Sequence, residues 1–165
     1  GVKHVMIAGV GYHNLRDLSL GPALVPELQR LAWPAGVEVD DWSFGPIAVV
    51  QRLEERPGAY DRIVFVAAVE RGRAPGSVVC SRRRGELPDA EEIQRRIGEA
   101  VMGVISLDNL LIIGGHFGVF PPDVVVVEVE PEDTGWGPGF TPCVEAALAD
   151  VVATVRRAAM DGDDG

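Results

Sequence analysis

The sequence is short of cysteine, histidine and positive charge, and each shortage closes off a class of function. Its two cysteines, Cys80 and Cys143, stand far apart and form no C-x-x-C pair. A cysteine-built zinc site or a disulfide framework is therefore not expected; two reduced thiols suit a cytoplasmic protein. Histidine occurs only as His4, His13 and His116. His4 sits in an apolar run and reads as a core or edge residue, and His116, flanked by glycines, reads as a helix-terminus residue. Lys and Arg number 15 against 25 Asp and Glu, a formal net charge of −10. That field repels phosphate backbones, so nucleic acid is not an expected partner, whereas a basic protein surface is compatible. No apolar run reaches the about 18 residues that crossing a bilayer takes, and no signal-cleavage site follows the apolar start, so no membrane association is expected. Internal repeats and low-complexity segments are absent as well.

What is present suits one globular domain. The chain has 165 residues, 47% of them apolar, and a domain of that size buries roughly 70% of its extended-chain surface. Short apolar runs alternate with amphipathic stretches. Strands are expected at 2–8, 37–39, 61–69, 76–80 and 123–129, the run at 61–69 being continuously apolar as in a sheet covered on both faces. Helices are expected from Gly21-Pro22 to Trp33-Pro34, over 46–54, over 89–102 with Asp89 as N-cap, over 106–117 with Ser106 as cap, and over 143–159 opened by Thr141-Pro142. The alternation predicts an α/β fold: a three-layer αβα sandwich around a mostly parallel sheet, with right-handed crossovers. The domain is expected to span 1–159, with 160–165 a flexible acidic tail. In such folds ligands bind beyond the carboxyl ends of the strands, here 9–20, 40–45 and 67–75.

Those segments hold the candidate site residues. Gly9-Val10-Gly11 follows a strand but lacks the third glycine of a dinucleotide fingerprint, since Asn14 stands there, and the helix starts too late for its amides to reach a pyrophosphate. His13, Asn14 and Asp17 share the first loop; His13 and Asp17 are the residues that a metal or a substrate would use. Asp40 and Asp41 end the second strand beside Ser43, and either serves as a functional carboxylate or as a strand-end turn. Glu70 and Arg71 follow the third strand and read as an exposed ion pair. Arg82-Arg83-Arg84 is a basic run that reads as solvated surface or as a docking patch for an acidic tail.

Several stretches, in order, resemble the [NiFe]-hydrogenase maturation endopeptidases. Ile7-Ala8-Gly9-Val10-Gly11, with Asp17, Gly21 and Pro22, is similar to the family's opening strand, G-x-G-N loop and acidic pair. Asp40, Ser43 and Gly45 are in keeping with its D-x-G-T-x-G. Val66 to Gly72 and Pro75-Gly76-Ser77 resemble its V-D-A strand and P-G-T. Leu110-Leu111 and Pro121 look like its helix and following loop, Val126 to Glu132 its strand ending in Q-P-E, and Gly137 to Glu145 its G-x-x-L-S-P-x-V-E helix start. The resemblance covers nearly all of residues 3–157.

The resemblance implies the fold of those peptidases and an activity that removes a C-terminal extension from the hydrogenase large subunit, guided by nickel held through a Glu, an Asp and a His. The matching positions carry Leu18, Ala67 and about Gly103, and the loop asparagine is replaced by Tyr12. Leu and Ala have no donor atom for nickel. The resemblance therefore implies a divergent member that binds a [NiFe]-hydrogenase large subunit, its C-terminal tail or a related partner, with weak or no peptidase activity. No cofactor of its own is expected, and nickel enters only through the partner. His13, Asn14, Asp17, Asp40, Asp41, Ser43 and Glu70 are the expected partner-binding set, with Asp17 and Asp40 the residual catalytic candidates and His13 and Asp17 the residual metal candidates. The alternatives are an active endopeptidase with relocated ligands and a small-molecule binding domain or enzyme of another class on the same fold.

Overall fold

A computed structural model describes residues 4–160. Five strands, β1 (Val5–Gly9), β2 (Val37–Asp41), β3 (Arg62–Ala68), β4 (Val78–Arg82) and β5 (Asp123–Val129), form one sheet in the order β2-β1-β3-β5-β4. The first four of that order run parallel, and β4 is antiparallel to β5. The helices are α1 (Leu20–Gln29), α2 (Pro46–Glu55), α3 (Ala90–Val101), α4 (Leu107–Phe117) and α5 (Pro142–Met160). Residues 2 and 3 of the expected first strand and residues 161–165 of the expected tail lie outside the described residues; Met160 is the last residue of α5.

The strands alternate between two cores. Val5, Ile7, Val64, Val66 and Val127 point to one face, where α1 and α5 bring Leu20, Leu24, Leu28, Val144, Val151 and Val155. Met6, Ala8, Ile63, Phe65 and Val126 point to the other, where α2 and α4 bring Val49, Leu53, Leu107, Leu110 and Leu111. Each large apolar side chain among them contributes about 1.5–3 kcal/mol of burial. Apolar packing on both faces therefore dominates the stability, and the expected αβα sandwich is the observed one.

The caps expected from the sequence form at two helices. Asp89 accepts the Glu92 amide and Ser106 the Asn109 amide. At α5 the Thr141 carbonyl accepts the Glu145 amide while its hydroxyl turns away to Asp17. Several boundaries shift from the pattern reading, two of them with a visible local cause. The first helix stops at Gln29, short of Trp33-Pro34, because the Trp33 indole N–H donates to the Leu28 carbonyl at 2.7 Å and closes the last turn. The fourth strand lies two residues later than expected: Gly76, at φ 86°, turns the chain and Ser77 starts the ladder with Glu130.

At the amino ends of the strands, Arg62 is fully buried. Its Nε donates to Asp123 Oδ2 at 2.6 Å and its Nη1 to the Ala158 carbonyl at 2.9 Å. Arg82 meets the other oxygen of Asp123. This buried charge fixes β3, β5, β4 and α5 together at the end opposite the candidate site.

Candidate functional site

The strand order reverses at β1. The chain leaves β1 through α1 to β2 on one side, then returns through α2 to β3 on the other. The two crossovers use opposite faces, so the loops after β1 and β3 diverge and leave a crevice at their carboxyl ends. Close packing at its floor requires glycine. A Cβ on Gly21 would run into the Val10 carbonyl oxygen and lie 2.6 Å from the Val10 nitrogen, and one on Gly9 would run into the Gly21 oxygen.

The loop from Val10 to Ser19 folds over that floor with Asn14 at φ 60° and Arg16 at φ 43°, both in the left-handed region that non-glycine residues rarely adopt. Asp17 holds this shape. It is fully buried and accepts from the Glu132 and Asp133 amides, the Thr141 amide and the Thr141 hydroxyl at 2.7–3.0 Å. Burial by itself would raise its pKa, but the amides of Asp133, Thr141 and Glu132 and the Thr141 hydroxyl outweigh it and hold the carboxyl below its usual range. With both oxygens occupied, Asp17 fastens the first loop to the segment leading into α5.

At the end of β2, Asp40 accepts from the Trp42 indole at 3.3 Å and from Arg52 at 3.2 Å. Asp41 accepts the Ser43 amide at 2.9 Å, and the Ser43 hydroxyl accepts the Gly11 amide at 3.0 Å. The exposed imidazole of His13 comes to 3.9 Å from Asp41. His13, Asp41 and Ser43 thus lie along one rim of the crevice. Asn14 and Glu70 are exposed, and Asn14 engages its backbone carbonyl with the Gly137 amide.

Between the β1 and β3 loops lies a pocket of about 160 Å³ lined by Val10, Gly11, Tyr12, Leu18, Ala67, Ala68, Val69, Glu70, Ile105, Ser106 and Leu107. Tyr12 reaches across it, and its hydroxyl accepts the Ile105 amide at 3.0 Å. The phenol therefore ties the loop before α4 to the loop after β1.

No family model matches the sequence. The chain is 29% identical over 162 residues to the hydrogenase 2 maturation protease of Escherichia coli K12, covering 95% of this chain and 93% of that protein. Among solved structures, a hydrogenase 2 maturation peptidase from Thaumarchaeota archaeon SCGC_AB-539-E09 superposes with a TM-score of 0.67 at 26% identity, over 94% of this chain and 97% of that one. A hydrogenase maturating endopeptidase from Escherichia coli gives 0.67 at 25% identity, over 92% and 89%. In sequence and in fold the chain is similar to the hydrogenase maturation peptidases. At 15% identity, a [NiFe] hydrogenase maturation protease from Thermococcus kodakarensis shares the fold, with a TM-score of 0.68.

Against the hydrogenase maturation peptidase pattern, Leu18 and Ala67 are the informative positions. They sit far apart in sequence and line the same pocket, and the loop after Gly103 supplies its third wall through Ile105 and Ser106. The donor set left around this space is the Tyr12 phenol, the Ser106 hydroxyl and Glu70, and the first two already accept backbone amides. That set does not suit divalent nickel, which takes imidazole, carboxylate or thiolate ligands in combination. Among the described residues no group of three His, Cys, Asp or Glu lies together in a way that holds a metal ion.

Pattern reading misses the charged cluster next to the pocket. Arg71 does not pair with Glu70. Its guanidinium donates to both Asp108 oxygens at 2.8 and 2.9 Å and to Glu128 at 2.6 Å, while its amide donates to Glu130. Hydrogen bonds to Asp108, and then to Glu128, raise its pKa despite partial burial. The available signal is Glu128 itself: a buried carboxylate inside a valine strand demands a cation beside it.

Proposed function

We propose that this chain is a divergent maturation peptidase-like protein that binds a hydrogenase large subunit, or a related partner carrying a C-terminal extension, with weak or no peptidase activity. The observation that carries the reading is the convergence of Leu18 and Ala67 on one largely apolar pocket. A pocket that keeps its position but has Leu18 and Ala67 where donors are expected still accepts a side chain of a docked segment, while Glu70 as its one carboxylate and two engaged hydroxyls do not make up a nickel-ligand set. The rim of His13, Asn14, Asp41, Ser43 and Glu70 supplies polar contacts to that segment. Asp40 is engaged by Arg52, and Asp17 holds the loop from beneath. Nickel, where it takes part, arrives with the partner.

A relocated site is the second reading, favoured only by the approach of His13 to Asp41 at 3.9 Å. Calorimetry with nickel and cadmium on the intact protein and on His13→Ala separates the two. Absence of binding, together with an uncut large-subunit precursor that nevertheless co-elutes with the protein, fits the first reading. Tight binding lost in His13→Ala, with cleavage of the precursor, sinks it.

A further inference from the structure

The far edge of the sheet carries features that the pocket does not use. β4 is the last strand in the order. The Arg83 amide donates to the Val124 carbonyl and the Ser77 carbonyl accepts the Glu130 amide, so the odd-numbered residues of this strand face β5. By the alternation of an antiparallel ladder, the backbone groups of Val78, Cys80 and Arg82 point outward along an open edge. Cys80, Ser81 and Arg82 are exposed. Unpaired edges invite strand addition unless something blocks them.

Cations flank this edge on both faces. On the α4 side Arg83 and Arg84 line a recess of about 420 Å³ together with Arg71 and the carboxylates Glu86, Asp108 and Glu128. On the α5 side Arg82 lies beside Cys80 with Arg157. Arg71 is taken up by Asp108 and Glu128, and Arg82 by Asp123. The guanidinium groups of Arg83 and Arg84 make no hydrogen bond or ion pair with any described residue. Arg83 is nevertheless half-buried, and burial, only partly offset by Asp108, pulls its pKa down. A chain with a net charge of −10 thus presents, in Arg83 and Arg84, two adjacent arginines with no hydrogen bond or ion pair to a described residue.

We propose that the β4 edge with Arg82, Arg83 and Arg84 is a docking surface for an extended acidic segment of a protein partner, which adds to the sheet as a sixth strand. The open backbone groups supply the ladder, and the arginines select carboxylates on either face. A second copy of this chain is a poor occupant, since two such edges would bring like charges together. The inference does not rest on the reading of the pocket and holds whether or not peptidase activity survives.

The test uses a fluorescein-labelled peptide of alternating valine and glutamate with the full chain. Fluorescence anisotropy should report binding that weakens with salt and falls at least about tenfold in the Arg83→Glu/Arg84→Glu variant. Those two side chains have no hydrogen bond or ion pair among the described residues to lose, and circular dichroism checks that the variant folds. Hydrogen exchange should show the Val78, Cys80 and Arg82 amides protected by the peptide. A peptide N-methylated at alternate residues should not bind. Four results overturn the proposal: no binding, equal binding of the N-methylated peptide, equal competition by millimolar inorganic phosphate, which would make this a simple anion site, or concentration-dependent dimers that exclude the peptide.

Discussion

Asp17 and Thr141 are joined twice: the threonine amide donates to one carboxylate oxygen at 2.8 Å and its hydroxyl to the other at 2.7 Å, across 124 residues of sequence. Asp17→Asn leaves one acceptor oxygen for several donors and places an amide N–H₂ against backbone N–H groups. A loss of about 2–4 kcal/mol in denaturant unfolding is expected.

The same carboxylate gives a pH signature. Its folded pKa is lowered from the usual 3.8. A lowered acid pKa contributes stability that is fully present well above the unfolded value and is lost as pH falls through the folded one. Between about pH 5 and pH 2 the native protein should lose a component of stability that Asp17→Asn does not have. Parallel urea titrations across that range measure it, and equal slopes for both proteins would refute the assignment.

Tyr12→Phe removes the acceptor for the Ile105 amide while keeping the ring. The expected cost is about 1 kcal/mol, with faster amide exchange confined to the loop before α4 and to the loop after β1. Uniform exchange changes across the sheet would instead mean that the phenol supports the whole fold.

Placing donors back in the pocket tests its ancestry. Leu18→Glu/Ala67→Asp puts two carboxylates into a space lined by Val10, Val69, Ile105 and Leu107. Without metal, the double variant should unfold about 3 kcal/mol more easily because the charges are poorly solvated. Nickel or cadmium should restore part of that stability in thermal melts, and the native protein should show no such response.

Gly21→Ala should be poorly tolerated. The new methyl would sit 2.6 and 2.7 Å from the backbone nitrogen and carbonyl carbon of Val10, which cannot move aside as a side chain can. A loss of about 3 kcal/mol is expected from equilibrium unfolding.

Much of the fold is legible in the sequence. The unbroken apolar run Ile63-Val64-Phe65-Val66 marks a strand buried on both sides, and Asp89 and Ser106 announce their helix starts through capping chemistry. What pattern cannot supply is any relation between distant residues. Leu18 and Ala67 are ordinary apolar positions until the switch in strand order brings them to one pocket. Asp17 reads as a free loop carboxylate because its four donors come from residues 132, 133 and 141. Arg71 reads as a partner of Glu70, but the carboxylates it meets, Asp108 and Glu128, lie on α4 and β5.

The position of β5 between β3 and β4 has a consequence for synthesis. β4 leaves the ribosome well before its pairing partner, with residues 83–122 emerging in between. β1, β2 and β3 already pair with one another, so the amino-terminal half can assemble while β4 waits without a neighbour. The nascent chain must keep a gap beside β3 that only Asp123–Val129 fills. A chain stalled before Asp123 should therefore show protected amides in β1 and fast exchange throughout 78–82, and protection of β4 in such a chain would mean that it pairs elsewhere first.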